Sequence, residues 1–375
     1  MTTGTNTGMV QTVLGPIKPE DLGVTHTHEH LLTDLSHWGE PPEEASAQEF
    51  YYQPTTPEVI GYAKHYRDVK NASNSQLISI DEAIYETDLF KQHGGGTLVC
   101  CSNRGLRRDP LGLKRISNAT RVNVVMGSSY YVHPTHPPDM DDKSEDDITN
   151  EIVGDLTHGV KSPMSATTPD TRTHTNKVMT DGIQAGIIGE VGCSWPLTDN
   201  ERKVLRASAR AQQLTGAAIT IHPGREDRAP IEIIEILKNA GADLNRTVMG
   251  HLCSTVFERE TLKEIAETGV YLQWDQFGQE RSYLTNTPWR DMPSDAKRLD
   301  DMLYCISLGR EDGILMAHDI CSKDRLIQYA GHGYFYILRN IVPRMRHRGF
   351  SDEVVNKILV DNPAKILTMT EPKTI

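Results

Sequence analysis

The chain has 375 residues, a length that suits one α/β barrel or two domains of ordinary size. Its 39 lysines and arginines against 51 aspartates and glutamates give a net charge of −12, which argues against nucleic acid or an anionic membrane surface as the main partner. The six cysteines form no C-x-x-C pair, no apolar run approaches the ~20 residues of a membrane span, and no secretory signal pattern begins the chain, so we expect a soluble cytosolic protein with reduced thiols.

The N-terminal part of the chain precedes its regular pattern. Residues 1–10 are rich in Thr, Gly and Asn and predict a flexible tail, and residues 11–17 predict a hairpin that leads into the first long strand. Residues 34–74, with prolines, aromatic residues and acidic clusters, predict a long excursion over a binding site, with one helix near residues 57–69. We expect residues 11–375 to form one domain with insertions at about 34–74 and 161–177.

Helical and apolar segments then alternate along the chain. Eight short apolar runs occur, and helical segments precede seven of them. The runs cover residues 23–32, 97–101, 122–127, 187–192, 217–222, 247–251, 270–274 and 313–319. Because parallel strands need helical crossovers and eight tilted strands close a sheet, this order predicts a TIM (β/α)₈ barrel. A doubly wound open sheet is the alternative, which is less favoured because no glycine-rich phosphate-binding sequence follows an early strand.

The first apolar run is rich in histidine. In an extended strand His28 and His30 lie side by side on one face, while Glu29 points away. Two neighbouring imidazoles on one face indicate a divalent metal ion. The alternative is a histidine-rich loop whose rings bond to carbonyl groups, and we assign His26 to that category because it shares the face but lies furthest back.

Four later runs also have a histidine or a carboxylate at their carboxyl end. These residues are Glu190, His222, His251 and Asp319. Each alone has an ordinary alternative, such as a surface turn, a loop residue, a buried ring with a satisfied hydrogen bond or a helix cap. In a barrel, however, the carboxyl ends of all strands face one mouth, so we expect the four to converge with the two histidines of the first run.

This set of six side chains is sufficient for two divalent metal ions. His28, His30 and Asp319 suit one ion, and His222 and His251 suit the other. A binuclear site at the mouth of the barrel predicts hydrolysis, because two adjacent cations ionise a shared water near neutral pH.

Two carboxylates have further predicted roles at this site. Glu190 has two oxygens and can bridge both ions. Asp319 can hold the attacking hydroxide by a hydrogen bond and carry its proton to the leaving group, so we predict that it is catalytic as well as a ligand.

Several short motifs resemble those of the phosphotriesterase family in the amidohydrolase superfamily. They are Thr27-His28-Glu29-His30, Gly189-Glu190-Val191-Gly192, Ile221-His222-Pro223-Gly224-Arg225, Gly250-His251-Leu252, Ala317-His318-Asp319-Ile320 and Asn362-Pro363-Ala364. The resemblance runs from about residue 11 to residue 367, and it implies a barrel with a binuclear, zinc-type centre. Residues 189–205 and 221–230 more narrowly resemble a branch associated with the hydrolysis of N-acetyltaurine to taurine and acetate.

Two differences separate this chain from the founding bacterial enzymes of that family. Those enzymes bridge their metal ions with a carbamylated lysine, whereas this chain has Glu190. The segments at 34–74 and 161–177 also have no counterpart in the bacterial pattern, so organophosphate hydrolysis does not follow from the resemblance.

Other residues are candidates for contacts with substrate. Lactonases of the family have a tyrosine at the position of Tyr131, whose hydroxyl could bond the carbonyl oxygen of a substrate, although an aromatic packed at the rim is the alternative. Asn103 ends the second strand and is a candidate for the pocket floor. Arg225, after a Pro-Gly turn, is our first candidate for binding an anionic group, with Arg228 and Lys323 behind it.

The alternative for Arg225 is a surface ion pair with Glu226 or Asp227.

The predicted function is a metal-dependent amidohydrolase that acts on small N-acyl amino acids or N-acyl amino sulfonates. A lactonase or promiscuous phosphotriesterase with the same centre is a second hypothesis, and an inactive barrel that binds a small molecule is a third. A small-molecule substrate is the expected partner, and a homodimer is compatible with the sequence.

Overall fold

The computed structural model describes residues 6–36, 41–65, 71–160, 182–284 and 287–373. Its strands are β1 (Val10–Thr12), β2 (Gly15–Ile17), β3 (Val24–Glu29), β4 (Thr33–Asp34), β5 (Gln76–Leu77), β6 (Gly95–Cys100), β7 (Asn123–Ser128), β8 (Ile187–Gly192), β9 (Ile219–His222), β10 (Thr247–Met249), β11 (Tyr271–Trp274), β12 (Tyr283–Leu284), β13 (Thr287–Asp291) and β14 (Ile314–Met316). Eight of them form one parallel sheet in the order β3, β6, β7, β8, β9, β10, β11 and β14.

This sheet closes on itself. The N–H of Asp319, just after β14, donates to the carbonyl of His28 in β3 at 3.2 Å, so the last strand lies beside the first. Each of the eight predicted apolar runs overlaps one of these strands. The predicted TIM barrel is therefore confirmed, and β1 and β2 form the predicted hairpin before it.

Helices follow most of the barrel strands along the chain. They are α1 (Ala45–Tyr52), α2 (Pro57–His65), α3 (Ile80–Gln92), α4 (Pro110–Thr120), α5 (Glu145–Thr157), α6 (Asp199–Thr215), α7 (Ala229–Asn239), α8 (Leu252–Thr255), α9 (Arg259–Glu267), α10 (Asp295–Ser307), α11 (Val342–His347), α12 (Asp352–Asn356) and α13 (Asn362–Leu367). Local sequence sets several of their starts: the Ser144 side chain accepts the N–H of Asp147 before α5, and Thr198 does the same for Glu201 before α6. None of the described helices is both long and apolar enough to cross a bilayer.

Alternate strand residues enter two separate buried clusters. Leu98 of β6 packs in the larger cluster with Phe90 of α3, between sheet and helices. Its neighbour Val99 belongs to a smaller cluster that collects residues from most of the barrel strands together with Val10 of β1 and Ile366 of α13. The hairpin and the last helix therefore close the amino end of the barrel with apolar side chains, and the carboxyl ends of the strands remain for polar residues.

The predicted insertions are only partly described. Within residues 34–74 the structure contains α2, which begins at the predicted position, and α1, which the sequence did not predict. β4 and β5 pair at the base of this segment, and Leu35 lines the cavity discussed below. The segment 161–177 lies outside the described residues.

A buried ion pair fixes the loops on this side of the barrel. Arg108, in the loop after β6, donates to the Asp155 carboxylate of α5 at 2.9 Å and to the Gly127 carbonyl of β7 at 3.1 Å. Ser128 donates to the same carboxylate at 2.8 Å. Burial would raise the pKa of Asp155, but Arg108 and Arg104 outweigh it and hold that pKa below its ordinary value.

Asp155→Asn should lower the free energy of unfolding by about 3–5 kcal/mol at pH 7, because it leaves the Arg108 charge buried without a counter-ion. A carboxylate with a lowered folded pKa stabilises the protein above its unfolded pKa and loses that effect as it is protonated, so the difference from wild type should shrink in acid. Denaturant titrations at pH 7 and at lower pH measure both effects.

Asp146→Asn is the matched control on the same helix. Asp146 pairs with Arg210 at the surface, where the two side chains are 66% and 46% exposed. The Asp146→Asn substitution should therefore lower the free energy of unfolding by less than about 1 kcal/mol. Equal losses in the two variants would contradict the structural role of the buried pair.

Candidate active site

The carboxylate of Glu190, on β8, lies among four imidazole rings. The Nε2 atoms of His28 and His30 are each 3.3 Å from its oxygens. His222 Nδ1 is 3.1 Å and His251 Nε2 is 3.4 Å from Oε2 of the same carboxylate. Glu190 is only 1% exposed, so the four rings and the carboxylate form a buried cluster at the carboxyl ends of their strands.

Asp319 adds a second carboxylate to this cluster. Its Oδ1 is 3.4 Å from His30 Nε2 and 3.9 Å from His28 Nε2. The ligand atoms of these three residues lie within 4.8 Å of one another, and the same is true of Glu190, His222 and His251. The structure thus brings all six predicted ligands together.

The cluster has the chemistry of a metal site. His28 Nε2 is buried and, although it lies 3.3 Å from Glu190, makes no well-directed hydrogen bond among the described residues, which is costly for an imidazole unless it binds an ion. Burial, with a contribution from Arg225, lowers the pKa of His222 to about 3, so this ring is neutral and its lone pair is available. Burial opposes ionisation of Glu190, but His28 and hydrogen bonds from His222 and His251 hold its pKa well below the ordinary value. The His222 ring and the Glu190 carboxylate are therefore in the states that a divalent metal ion requires of its ligands, a neutral imidazole and an ionised carboxylate.

Asp275 orients the rings from outside the cluster. It accepts hydrogen bonds from Nδ1 of His251 at 2.8 Å and from the backbone N–H of the same residue at 2.9 Å. Its Oδ2, which accepts that backbone N–H, also lies 3.4 Å from His28 Nδ1 and accepts from the Gln273 amide at 2.9 Å. One carboxylate thereby directs Nε2 of one ring from each ligand group toward Glu190. Asp275 was not predicted from the sequence, although it follows β11 directly and so lies at a strand end like the predicted ligands.

His26 does not lie where the strand alternation placed it. The pairing of β3 with β6 is irregular between His26 and Glu29. The His26 ring packs against Phe90 of α3 and against His318, with 4.8 Å between ring centroids in each case. The prediction that it shares a face with His28 is therefore wrong, because an irregular strand does not keep the regular alternation of side chains.

A cavity of about 460 Å³ opens above the cluster. Five of the six predicted ligands reach it, and Tyr131, Trp195, Arg225 and Trp289 are among its other lining residues. A larger cavity of about 1000 Å³ lies beside it, but none of the six ligands lines that one. The smaller cavity is therefore the candidate substrate pocket.

Two of the predicted substrate contacts line this pocket. The Tyr131 hydroxyl lies 3.3 Å from His222 Nδ1, and burial raises its pKa well above the ordinary value, so it stays protonated. The Arg225 guanidinium donates to the Thr255 hydroxyl at 3.2 Å.

Three other predicted contacts lie elsewhere. Asn103 is fully buried and donates to the backbone carbonyl of Glu190, so it supports β8 from beneath. Arg228 is exposed beside α7 and pairs with Glu264 of α9, and the Lys323 ammonium donates to the Ser73 hydroxyl at 3.3 Å. None of the three lines the pocket, so the structure does not support them as substrate-binding residues.

Two cationic residues of the pocket were not predicted. Arg281 precedes β12 and pairs with Asp324, and Arg325 follows β14 and donates to the backbone carbonyl of Asp319. Both lie in loops, where sequence spacing gives no direction for a side chain.

Comparison with known proteins identifies the family. The model of the Phosphotriesterase family matches residues 8–367. A phosphotriesterase-related protein of Nematostella vectensis is 42% identical over 364 residues, which cover 96% of this chain and 99% of that protein. An N-acetyltaurine hydrolase of Homo sapiens is 42% identical over 369 residues, with coverage of 96% and 98%.

A solved structure agrees with these sequence matches. The resiniferatoxin-binding protein from Rhodobacter sphaeroides superimposes with a TM-score of 0.86 at 31% identity, and the match covers 98% of each chain. The family resemblance that the motifs indicated is confirmed over nearly the whole chain. The protein belongs to the phosphotriesterase family.

Proposed function

We propose that the protein is a metal-dependent hydrolase that cleaves N-acetyltaurine, or a close N-acyl amino acid or amino sulfonate, to the free amine and the acid. The strongest support for this proposal is that the buried Glu190 carboxylate contacts four histidines. This cluster lies beneath a pocket that contains a cationic side chain. The name of the human relative, N-acetyltaurine hydrolase, supplies the substrate.

Six residues of this chain would hold two divalent metal ions. They are His28, His30 and Asp319 for one ion, His222 and His251 for the other, and Glu190 for both. When bound, such ions polarise an acyl carbonyl and lower the pKa of water. We propose zinc, because a set of imidazoles with carboxylates suits zinc better than magnesium or calcium, which prefer oxygen ligands.

Asp319 would move the proton in this reaction. Burial would raise its pKa, but a hydrogen bond with His30 and the charges of nearby residues hold it below the ordinary value, so the carboxylate is ionised and can accept a proton. An amine leaves an amide only after it gains a proton, which the same carboxyl group can return to it. Tyr131, which stays protonated in the pocket, would donate to the acyl oxygen as negative charge develops there.

Arg225 would bind the sulfonate. The acidic residues that follow it, Glu226 and Asp227, both accept from Arg290, at 2.9 and 3.2 Å. Among the described residues no carboxylate pairs with Arg225, whose guanidinium donates to the Thr255 hydroxyl at 3.2 Å and to the Pro223 carbonyl at 3.5 Å. A guanidinium that lines a pocket without a counter-ion suits the paired oxygens of a sulfonate or carboxylate.

Two other functions use the same residues. A lactonase or phosphotriesterase would need the same centre, and Tyr131 in the pocket is compatible with a lactone carbonyl. A binding protein without activity is the third possibility, and the solved relative from Rhodobacter sphaeroides is named for binding. The convergence of six ligand-type residues favours catalysis over binding alone.

A substrate panel tests the proposed function directly. We expect the metal-replete enzyme to release taurine from N-acetyltaurine with a higher kcat/KM than it shows for N-propylacetamide, a lactone or a phosphotriester. Chelation should abolish the activity and added zinc should restore it, because the six ligands have no other way to activate water. Chromatography of the products measures each rate.

The other outcomes of this panel separate the alternatives. Faster turnover of the lactone or the phosphotriester would replace the amidohydrolase assignment with one of those activities. Tight binding of N-acetyltaurine without turnover of any compound would favour the binding protein.

Arg225→Ala tests the anion contact. It should lower kcat/KM for N-acetyltaurine by about 2–4 kcal/mol, or roughly 30- to 1,000-fold, because the sulfonate loses its charged partner in the pocket. The kcat/KM for uncharged N-propylacetamide should fall far less. Steady-state kinetics on the two substrates measure the difference.

Arg228→Ala is the matched control, three residues further along and outside the pocket. This substitution should leave kcat/KM unchanged for both substrates. Equal losses for the charged and the uncharged substrate in Arg225→Ala would show that Arg225 stabilises the pocket and does not bind the anion.

A further inference from the structure

Glu29 lies between two of the candidate metal ligands but faces away from them. It is fully buried and is no member of the cluster around Glu190. A buried carboxylate needs hydrogen-bond donors or charges around it, so its partners indicate what it does.

The partners of Glu29 are the groups on either side of Asp319. Its Oε1 accepts the backbone N–H of His318 at 2.9 Å and the Nδ1–H of the same residue at 2.8 Å. Its Oε2 accepts the backbone N–H of Ile320 at 3.1 Å. His318 Nε2 in turn accepts from the N–H of Ile337 at 3.1 Å, which places the ring proton on Nδ1, toward Glu29.

The loop held in this way has an unusual conformation. Asp319 has a φ of +54°, in the left-handed region that residues with a side chain rarely adopt. Such a residue keeps its conformation only when the surrounding structure determines it. The Gln279 amide also holds this loop by donating to the carbonyls of His318 and Asp319, at 2.7 and 3.4 Å, and Arg325 donates to the second of these carbonyls. Glu29 differs from both because it accepts the backbone N–H groups of the residues before and after Asp319.

We infer that Glu29 is a positioning residue that fixes the Asp319 carboxylate over the active site by clamping the backbone N–H groups of His318 and Ile320. Its location on β3, between His28 and His30, ties the loop after the last barrel strand to the strand that carries two ligands. The inference rests on the proposed hydrolase function only where it concerns turnover.

A third metal site is the alternative for this place, because His26, Glu29 and His318 lie within ligand distance of one another. Both oxygens of Glu29 already accept hydrogen bonds, and both nitrogens of His318 are also engaged. His318 therefore has no free lone pair for an ion, so a site made of these three residues would be incomplete, and the clamp accounts for the contacts better.

Glu29→Gln tests the clamp. A carboxamide has one acceptor oxygen and turns an NH₂ group toward one of the two backbone N–H groups, so the loop should loosen. We expect the amides of His318 and Ile320 to exchange hydrogen at least about tenfold faster, in metal-free and metal-loaded protein alike. At full metal occupancy, kcat should fall about 100-fold while KM stays within about twofold, because Asp319 is misplaced and the pocket is not.

Glu86→Gln is the matched control. Glu86 is also fully buried and accepts two backbone N–H groups, those of Ile327 at 3.1 Å and Gln328 at 3.0 Å, but it does not line the pocket. In Glu86→Gln the backbone amides of residues 327–328 should exchange hydrogen faster, and kcat should not change.

Unchanged exchange at residues 318–320 in Glu29→Gln would overturn the inference, as would equal losses of kcat in the two variants. If Glu29→Gln does not fold, Glu29→Asp provides the same two measurements, because it keeps the charge but is one methylene too short to reach both N–H groups. The exchange measurement needs no substrate, so it decides the role of Glu29 even if the proposed hydrolase activity is absent.

Discussion

One ionised carboxylate buried among four imidazoles is the constraint on which this structure depends. An isolated buried carboxylate costs several kcal/mol, so Glu190 is stable only if cationic or hydrogen-bonding groups surround it. The barrel satisfies this requirement because the carboxyl ends of its strands meet at one mouth, and His28, His222 and His251 come from three different strands or strand ends. The apolar cluster at the opposite end closes the barrel.

The residues around this centre act mainly by holding others. Asp275 directs one ring of each ligand group, and Asn103 supports the backbone of Glu190. Glu29 holds the loop of Asp319 from the outer face of the first strand. The proposed chemistry therefore requires two layers of polar side chains, of which only the inner one touches the pocket.

The sequence predicted the inner layer better than the outer one. Period-two alternation and position at a strand end were sufficient to find His30, Glu190 and the other ligands, because both follow from strand geometry. The partners of Glu29 and Asp275 lie up to 291 residues away, and no local pattern encodes such contacts. The position of His26 was predicted wrongly because the irregular pairing of its strand is not visible in the sequence. Arg228 was predicted to contact the substrate but pairs with Glu264, because packing sets the direction of a side chain after a turn.

The most direct test of this account is the metal content of Glu190→Ala compared with the wild type and with Glu86→Ala as an equally buried control. If Glu190 is shared by both ligand groups, elemental analysis should find about two metal ions per chain in the wild type and the control and almost none in Glu190→Ala. A folded Glu190→Ala protein with an undiminished metal count would contradict the central claim that this carboxylate joins the two sites.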